Sequence, residues 1–250
     1  MAEQHAFVLI HSPLAGAGTW QPVADILADR GLVTTVPELT DDGAPPFWRQ
    51  HTRCVVRGIA EHIEPGIPLV LVAHSAAGQL LGVLGPVLRD AGYHVAAEIL
   101  ADAGLPPEGR SRLDQLDDDA PERAEQVRSL LDEGVGFPSW TDDEIAPLVP
   151  DDDRRAQLLE QLRPPPAAYW VEQIPTAVDW PDAPVGALIF SSSYAPTLQA
   201  ATDNGWLVNT LDTDNHLLML VNEQQVADEL LALTDRLVDD DGRRDMSRAG

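Results

Sequence analysis

An aliphatic run, Leu69-Val70-Leu71-Val72-Ala73, leads straight into His74-Ser75-Ala76-Ala77-Gly78. A serine between a buried strand and a helix start has the shape of a nucleophile elbow, a strained turn that thrusts the hydroxyl toward substrate. The residues two before and two after such a serine must be small, because larger side chains would clash with the sharply turned backbone. Ala73 and Ala77 meet that requirement where Gly-x-Ser-x-Gly is the usual pattern, and Gly78 permits tight packing behind the turn. The plain alternative is a strand-to-helix connection in which the Ser75 hydroxyl merely caps the helix.

Such a serine needs a rigid frame. Short β-branched or aliphatic runs (His5 to Ile10, Leu32 to Val36, Pro68 to Ala73, Ala97 to Ala101, Val185 to Phe190, Trp206 to Leu211) alternate with amphipathic stretches. That alternation predicts an α/β fold, a mostly parallel sheet with helices on both faces. Helices are expected near Trp20 to Arg30, Pro46 to Ile63, Ala76 to Ala91, Pro196 to Asn204 and Glu223 to Val238. The core is read as residues 1–104 and 185–238. Residues 105–184, rich in Asp, Glu and Pro and without a convincing strand, are read as an inserted helical cap, with helical spacing in Pro121 to Leu131, Asp142 to Leu148 and Asp152 to Leu162. Residues 239–250 are read as a polar, frayed tail.

Ala73-His74-Ser75-Ala76-Ala77-Gly78 resembles the Gly-His-Ser-x-Gly-Gly common in the α/β-hydrolase superfamily. Phe7-Val8-Leu9-Ile10-His11-Ser12-Pro13-Leu14-Ala15-Gly16-Ala17-Gly18-Thr19-Trp20 is similar to its first strand and oxyanion loop, most like the small esterase and hydroxynitrile lyase branch. The resemblance implies a hydrolase fold with the chain order serine, acid, histidine. His216, after the last strand and before the final helix, then falls where the catalytic base belongs. A neutral imidazole there takes the serine proton during attack and returns it to the leaving group. The usual acid-bearing loop reads Ser191-Ser192-Ser193-Tyr194-Ala195-Pro196 and has no carboxylate. Some superfamily members take the acid from the strand after the elbow helix, which points to Asp102; a carbonyl or serine hydroxyl holding His216 stays open. Ala76 is expected to supply one oxyanion N–H. The second should come from position 13, yet Pro13 has no N–H, so either the Leu14 N–H or the Ser12 hydroxyl substitutes, or the site stabilises developing negative charge poorly and serves chemistry other than ordinary ester hydrolysis. His11 and His74 are expected to support these turns by hydrogen bonding.

Trp140, Tyr169, Trp170 and Trp180 fall in the insertion, where they are expected either to line a pocket for an apolar substrate or to pack the cap on the core. All 16 basic residues are Arg, against 41 Asp and Glu, and the net charge of -25 argues against nucleic acid and anionic membranes as partners. Cys54, the single cysteine, excludes an internal disulfide and reads as a buried structural thiol. Neither a leader nor an 18-residue apolar stretch is evident, so a cytoplasmic monomer or homodimer is expected. No metal spacing and no nucleotide loop stand out, so no cofactor and no metal are expected. The expected activity is hydrolysis of a small ester, thioester or lactone. Lyase, elimination or cyclisation chemistry on the same fold, or a non-enzymatic binding module, are the alternatives.

Overall fold

In a computed structural model that describes residues 5–248, six strands form one parallel sheet in the order β2-β1-β3-β4-β5-β6. They are β1 (Ala6–Ile10), β2 (Val33–Thr35), β3 (Leu69–Ser75), β4 (Val95–Ala103), β5 (Val185–Ile189) and β6 (Leu207–Thr210). Every aliphatic run singled out in the sequence becomes one of these strands. The apolar character of β1, β3 and β5 follows from burial on both faces, as a parallel sheet between helices requires, whereas the edge strands β2 and β6 are only partly buried. Phe7, Leu9, Val70 and Val72 face one core, whereas Ala6, Val8, Ile10, Leu69 and Leu71 face the other.

The helices are α1 (Gln21–Asp29), α2 (Phe47–His62), α3 (Leu81–Asp90), α4 (Arg112–Asp119), α5 (Pro121–Asp132), α6 (Asp142–Ile145), α7 (Asp152–Gln161), α8 (Ala167–Val171), α9 (Ala195–Asp203) and α10 (Glu223–Arg248). Val23 and Leu27 of α1 pack with Val226, Leu230 and Leu233 of α10 on the first face. Val55 and Ile59 of α2 pack with Leu81, Leu84 and Leu88 of α3 on the second. Cys54 lies buried on that α2 face, a structural thiol as expected. Among the described residues, no helix is long and apolar enough to cross a membrane.

Three details depart from the sequence reading. The elbow helix opens as a 3-10 turn, Ala76–Leu80, and becomes α-helical only at Leu81. Helices α4 and α8 lie between β4 and β5 where the sequence pattern indicates none. Asp117, Asp118 and Asp119 at the C-terminal end of α4 oppose the helix dipole and obscure it. Its start is nonetheless marked by a capping box, in which the Ser111 hydroxyl accepts from Asp114 N–H and the Asp114 carboxylate accepts from Ser111 N–H. Finally, α10 runs to Arg248, past the helix end expected at Val238; residues 249–250 lie outside those described.

The chain leaves β1 toward β2 and then returns to β3 on the other side of β1. Loops therefore diverge at the carboxyl ends of β1 and β3 and open a crevice, the place where open α/β sheets bind ligands. Ser12 and Ser75 border it.

Candidate active site

Ser75 ends β3 with φ 58 and ψ −128, a conformation that costs a non-glycine residue roughly 1–3 kcal/mol and persists only where its surroundings enforce it. The enforcement is visible. Ala73 and Ala77 are fully buried. A Cβ on Gly78 would come within 2.1 Å of the Gly104 carbonyl oxygen, so only glycine fits there. Gly104 in turn donates its N–H to the Ser75 carbonyl at 3.0 Å and ties the elbow to the end of β4. Ser75 remains half-buried, within reach of a small molecule. Ala76 opens the 3-10 turn, so no carbonyl of that turn takes its N–H.

Asp102, near the end of β4, also has a positive φ, 44, and no solvent exposure. Its Oδ1 accepts from the N–H groups of Phe190 (2.9 Å) and Ser191 (3.0 Å). Its Oδ2 accepts from the Ser191 hydroxyl at 2.5 Å and pairs with His216 Nδ1 at 2.9 Å. The structure thus brings together Asp102 and His216, the pair that the sequence reading joins. Asp102 is the anchor of the imidazole, and the serine hydroxyl that could have replaced it anchors the aspartate instead.

The His216 side chain is 23% exposed. One of its faces stacks on His74 (4.4 Å, 28°) and the other on Tyr194 (5.1 Å, 25°), with Phe190 stacked beyond His74. His74 Nε2–H donates to the His216 carbonyl at 3.0 Å, so the same side chain fixes both ring and backbone. Burial above all, and then the neighbouring His216, push the His74 pKa well below the ordinary imidazole value. A neutral His74 places no charge against an imidazolium at His216.

The Ser75 Oγ accepts a hydrogen bond at 3.1 Å from the Tyr194 hydroxyl, and at rest it engages this phenol rather than His216. Burial raises the Tyr194 pKa above the ordinary phenol value, so the group is a neutral donor at working pH.

On the other side of the crevice His11 is buried. It donates from Nδ1 to the Ser12 carbonyl (2.8 Å) and accepts from the Leu39 N–H at Nε2 (3.0 Å), roles that together fix one neutral tautomer. Burial lowers its pKa, consistent with that state. Leu14 and Ser12, the two residues expected to substitute for the missing Pro13 donor, are bonded to each other. The Leu14 N–H turns back onto Ser12 Oγ at 3.3 Å, and the Ala15 N–H onto the Ser12 carbonyl at 3.0 Å, because the loop closes as a tight turn. Ser12 itself is 3% exposed.

Tyr169 and Trp170 pack edge-to-face (5.3 Å) and share a cluster with Leu14, Phe47 and Phe137. The Arg112 guanidinium covers the Tyr169 ring at 3.6 Å. Trp140 is half-buried, edge-on to Phe137 at 6.3 Å. Of the two readings of these aromatics, packing describes Tyr169 and Trp170. Leu14 links this cluster to the crevice.

Two residues of the site escape the sequence reading, Ser191 and Tyr194. A signal for them exists in the loop after β5, the customary source of the acid. Whatever side chains replace a carboxylate there must still face the histidine.

The pattern of the alpha/beta hydrolase family matches residues 7–229. No curated protein sequence matches the chain. Among solved structures, it is similar to an extracellular alpha/beta-hydrolase from a Paenibacillus species that shares structural and functional homology with tobacco salicylic acid binding protein 2. The TM-score is 0.73 at 20% identity, over 92% of this chain and 98% of that one. Polyneuridine aldehyde esterase matches with TM-score 0.67 at 18% identity, over 92% and 99%. Tomato methylketone synthase I, as a histidine-to-alanine variant complexed with β-ketoheptanoate, matches with TM-score 0.70 at 14% identity, over 94% and 99%. At these identities the likenesses speak for the fold, and with the family match over most of the length they fix the assignment: the chain belongs to the alpha/beta hydrolase family.

Proposed function

We propose that this protein is a serine hydrolase of small esters, thioesters or lactones that forms an acyl-enzyme on Ser75 with His216 as general base. One observation carries the reading. A half-buried serine on a strained turn and a partly exposed histidine held by a buried aspartate at 2.9 Å share one crevice, both in contact with Tyr194. Similarity to an esterase among the structural relatives agrees with it.

In this reading the Ser75 Oγ attacks the acyl carbon as His216 Nε2 accepts its proton. The Nδ1–H stays on Asp102, which holds the required tautomer and stabilises the imidazolium. His216 then protonates the departing alkoxide or thiolate, which leaves as alcohol or thiol (or, from a lactone, stays tethered as a hydroxyl), and a water activated by the same nitrogen releases the acyl group. The hydrogen bond between Ser75 and His216 forms when substrate displaces the resting contact with Tyr194; such bonds commonly tighten only in the substrate complex. Ala76 N–H faces the developing oxyanion.

A fluorophosphonate probe is expected to label the wild-type protein at Ser75. Labelling should vanish in Ser75→Ala and fall steeply in His216→Ala, with turnover of p-nitrophenyl acetate reduced about 10⁴- to 10⁶-fold in each. A wild-type protein that resists labelling would end this reading and favour a binding module.

A second reading keeps the fold and has His216 abstract a proton in a lyase, elimination or cyclisation step. It is favoured by the oxyanion loop, where Pro13 has no N–H and Leu14 turns its own inward. Activity that survives Ser75→Ala but not His216→Ala, without incorporation of oxygen from labelled water, would decide for it.

A further inference from the structure

We propose that Tyr194 is a catalytic residue of this site, donating from its hydroxyl to the oxyanion in place of the backbone N–H that Pro13 cannot offer. The inference rests on the serine-hydrolase reading above. A tetrahedral adduct on Ser75 needs donors preorganised for the charge that develops on the former carbonyl oxygen. Ala76 supplies one. On the β1 side the loop has none to give from its backbone at positions 13 to 15: Pro13 lacks the hydrogen, and the N–H groups of Leu14 and Ala15 are both closed onto Ser12.

The Tyr194 hydroxyl, by contrast, already donates to the Ser75 Oγ at 3.1 Å. In the adduct, Oγ and the oxyanion are bonded to the same carbon. A donor that reaches the first oxygen therefore needs only a small swing to reach the second. The ring is held for this purpose. It stacks on His216 at 5.1 Å, and its 3-10 turn, Ser192–Tyr194, is pinned where it begins. Ser191 bonds Asp102 through both its N–H and its hydroxyl, and the Ser192 N–H donates to Asp214 at 2.7 Å. Tyr194 is also half-buried rather than sealed in the core.

The arrangement explains two departures from the usual pattern together. A loop that has lost its acid carries a phenol aimed at the nucleophile, and the loop after β1 has lost an N–H. At rest the donor is parked on Oγ; during attack it follows the charge.

Tyr194→Phe keeps the stacked ring and removes only the hydroxyl. The second-order rate of Ser75 labelling by a fluorophosphonate, and kcat for p-nitrophenyl acetate, should each fall about 10²- to 10³-fold, with KM within about twofold and the melting temperature unchanged. Inhibition by a trifluoromethyl ketone, which forms the tetrahedral adduct, should weaken by the same factor, whereas binding of a non-adduct amide of the same shape should not. Labelling and kcat within about threefold of wild type would overturn the proposal while leaving the hydrolase reading intact. So would a comparable loss in Ser12→Ala with none in Tyr194→Phe, or equal weakening of ketone and amide. Failure of the wild-type protein itself to label overturns both.

Discussion

Strand β4 carries two carboxyl groups four residues apart, Glu98 and Asp102, neither with any solvent exposure. Asp102 receives two N–H donors, a hydroxyl and an imidazole. Glu98 receives a single donor, the Trp180 indole N–H at 2.8 Å, and its Oε1 has no partner. Burial drives the Glu98 pKa up to about 8, and the Trp180 hydrogen bond only partly opposes it. Desolvation is common to both positions; the supply of donors is what differs. Glu98 lies mid-strand, opposite Leu71 and Val185, where the ladder consumes the backbone N–H groups. Asp102 lies at the carboxyl end, where β5 has stopped pairing and frees the N–H groups of Phe190 and Ser191. The end of a strand is thus where a buried anion can be satisfied, which is a physical reason for the candidate site to sit there.

The largest effect expected from this contrast is on turnover. In Asp102→Asn the side-chain oxygen still accepts from Phe190 and Ser191, but the new amide N–H₂ faces His216 Nδ1 and favours the wrong imidazole tautomer. Turnover of p-nitrophenyl acetate should drop about 10⁴-fold, with the protein still folded by circular dichroism. Glu98→Gln, four residues away and equally buried, should leave turnover near wild type. Similar losses in the two variants would break the contrast.

Glu98 should appear instead in the pH dependence of stability. With an ordinary value of 4.5 in the unfolded chain and about 8 in the folded one, it is protonated in both states below pH 4.5 and contributes its full stability there. As pH rises from 4.5 toward 8, the unfolded chain releases the proton and the folded chain does not, so stability is lost across that window and stays lost above it. Glu98→Gln removes this dependence. Urea unfolding should find the variant more stable than wild type by a few kcal/mol at about pH 9 and nearly equal at about pH 4. A constant difference between the two pH values would mean that Glu98 does not titrate in this way.

The same geometry explains what was legible in the sequence. The inner strands could be read because burial on both faces leaves an aliphatic run, and the half-buried edge strands β2 and β6 because β-branched or aliphatic residues still cluster there, a signal local to a few residues. Ser75 could be read because the elbow writes its steric demands into Ala73, Ala77 and Gly78. His216 and Asp102 could be placed only through resemblance, since nothing adjacent to Asp102 in sequence reveals that residues 190, 191 and 216 will donate to it. Tyr194 escaped because its role comes from a meeting of the β5 loop with the end of β3. The choice between Leu14 and Ser12 could not be read for a related reason: whether an N–H faces a ligand or its own loop depends on turn geometry. Helix α4 was hidden by its acidic C-terminal end, although Ser111 and Asp114 marked its start.

The smallest expected effect tests the single donor itself. Trp180→Phe preserves an aromatic ring to pack against Trp206, which it now meets edge-on at 5.7 Å, and deletes the N–H that reaches Glu98. An acceptor left bare in a core costs about 1–3 kcal/mol, more when it is charged. The loss should therefore be greater at about pH 9, where the folded-state Glu98 is ionised, than at about pH 5, where it is neutral. In the Glu98→Gln background this extra loss at high pH should disappear, since an amide carries no charge to strand. Chemical denaturation of wild type, both single variants and the double variant at the two pH values measures the coupling. A coupling that ignores pH would show that the indole serves packing alone, and that the two carboxyls of β4 differ by something other than their donors.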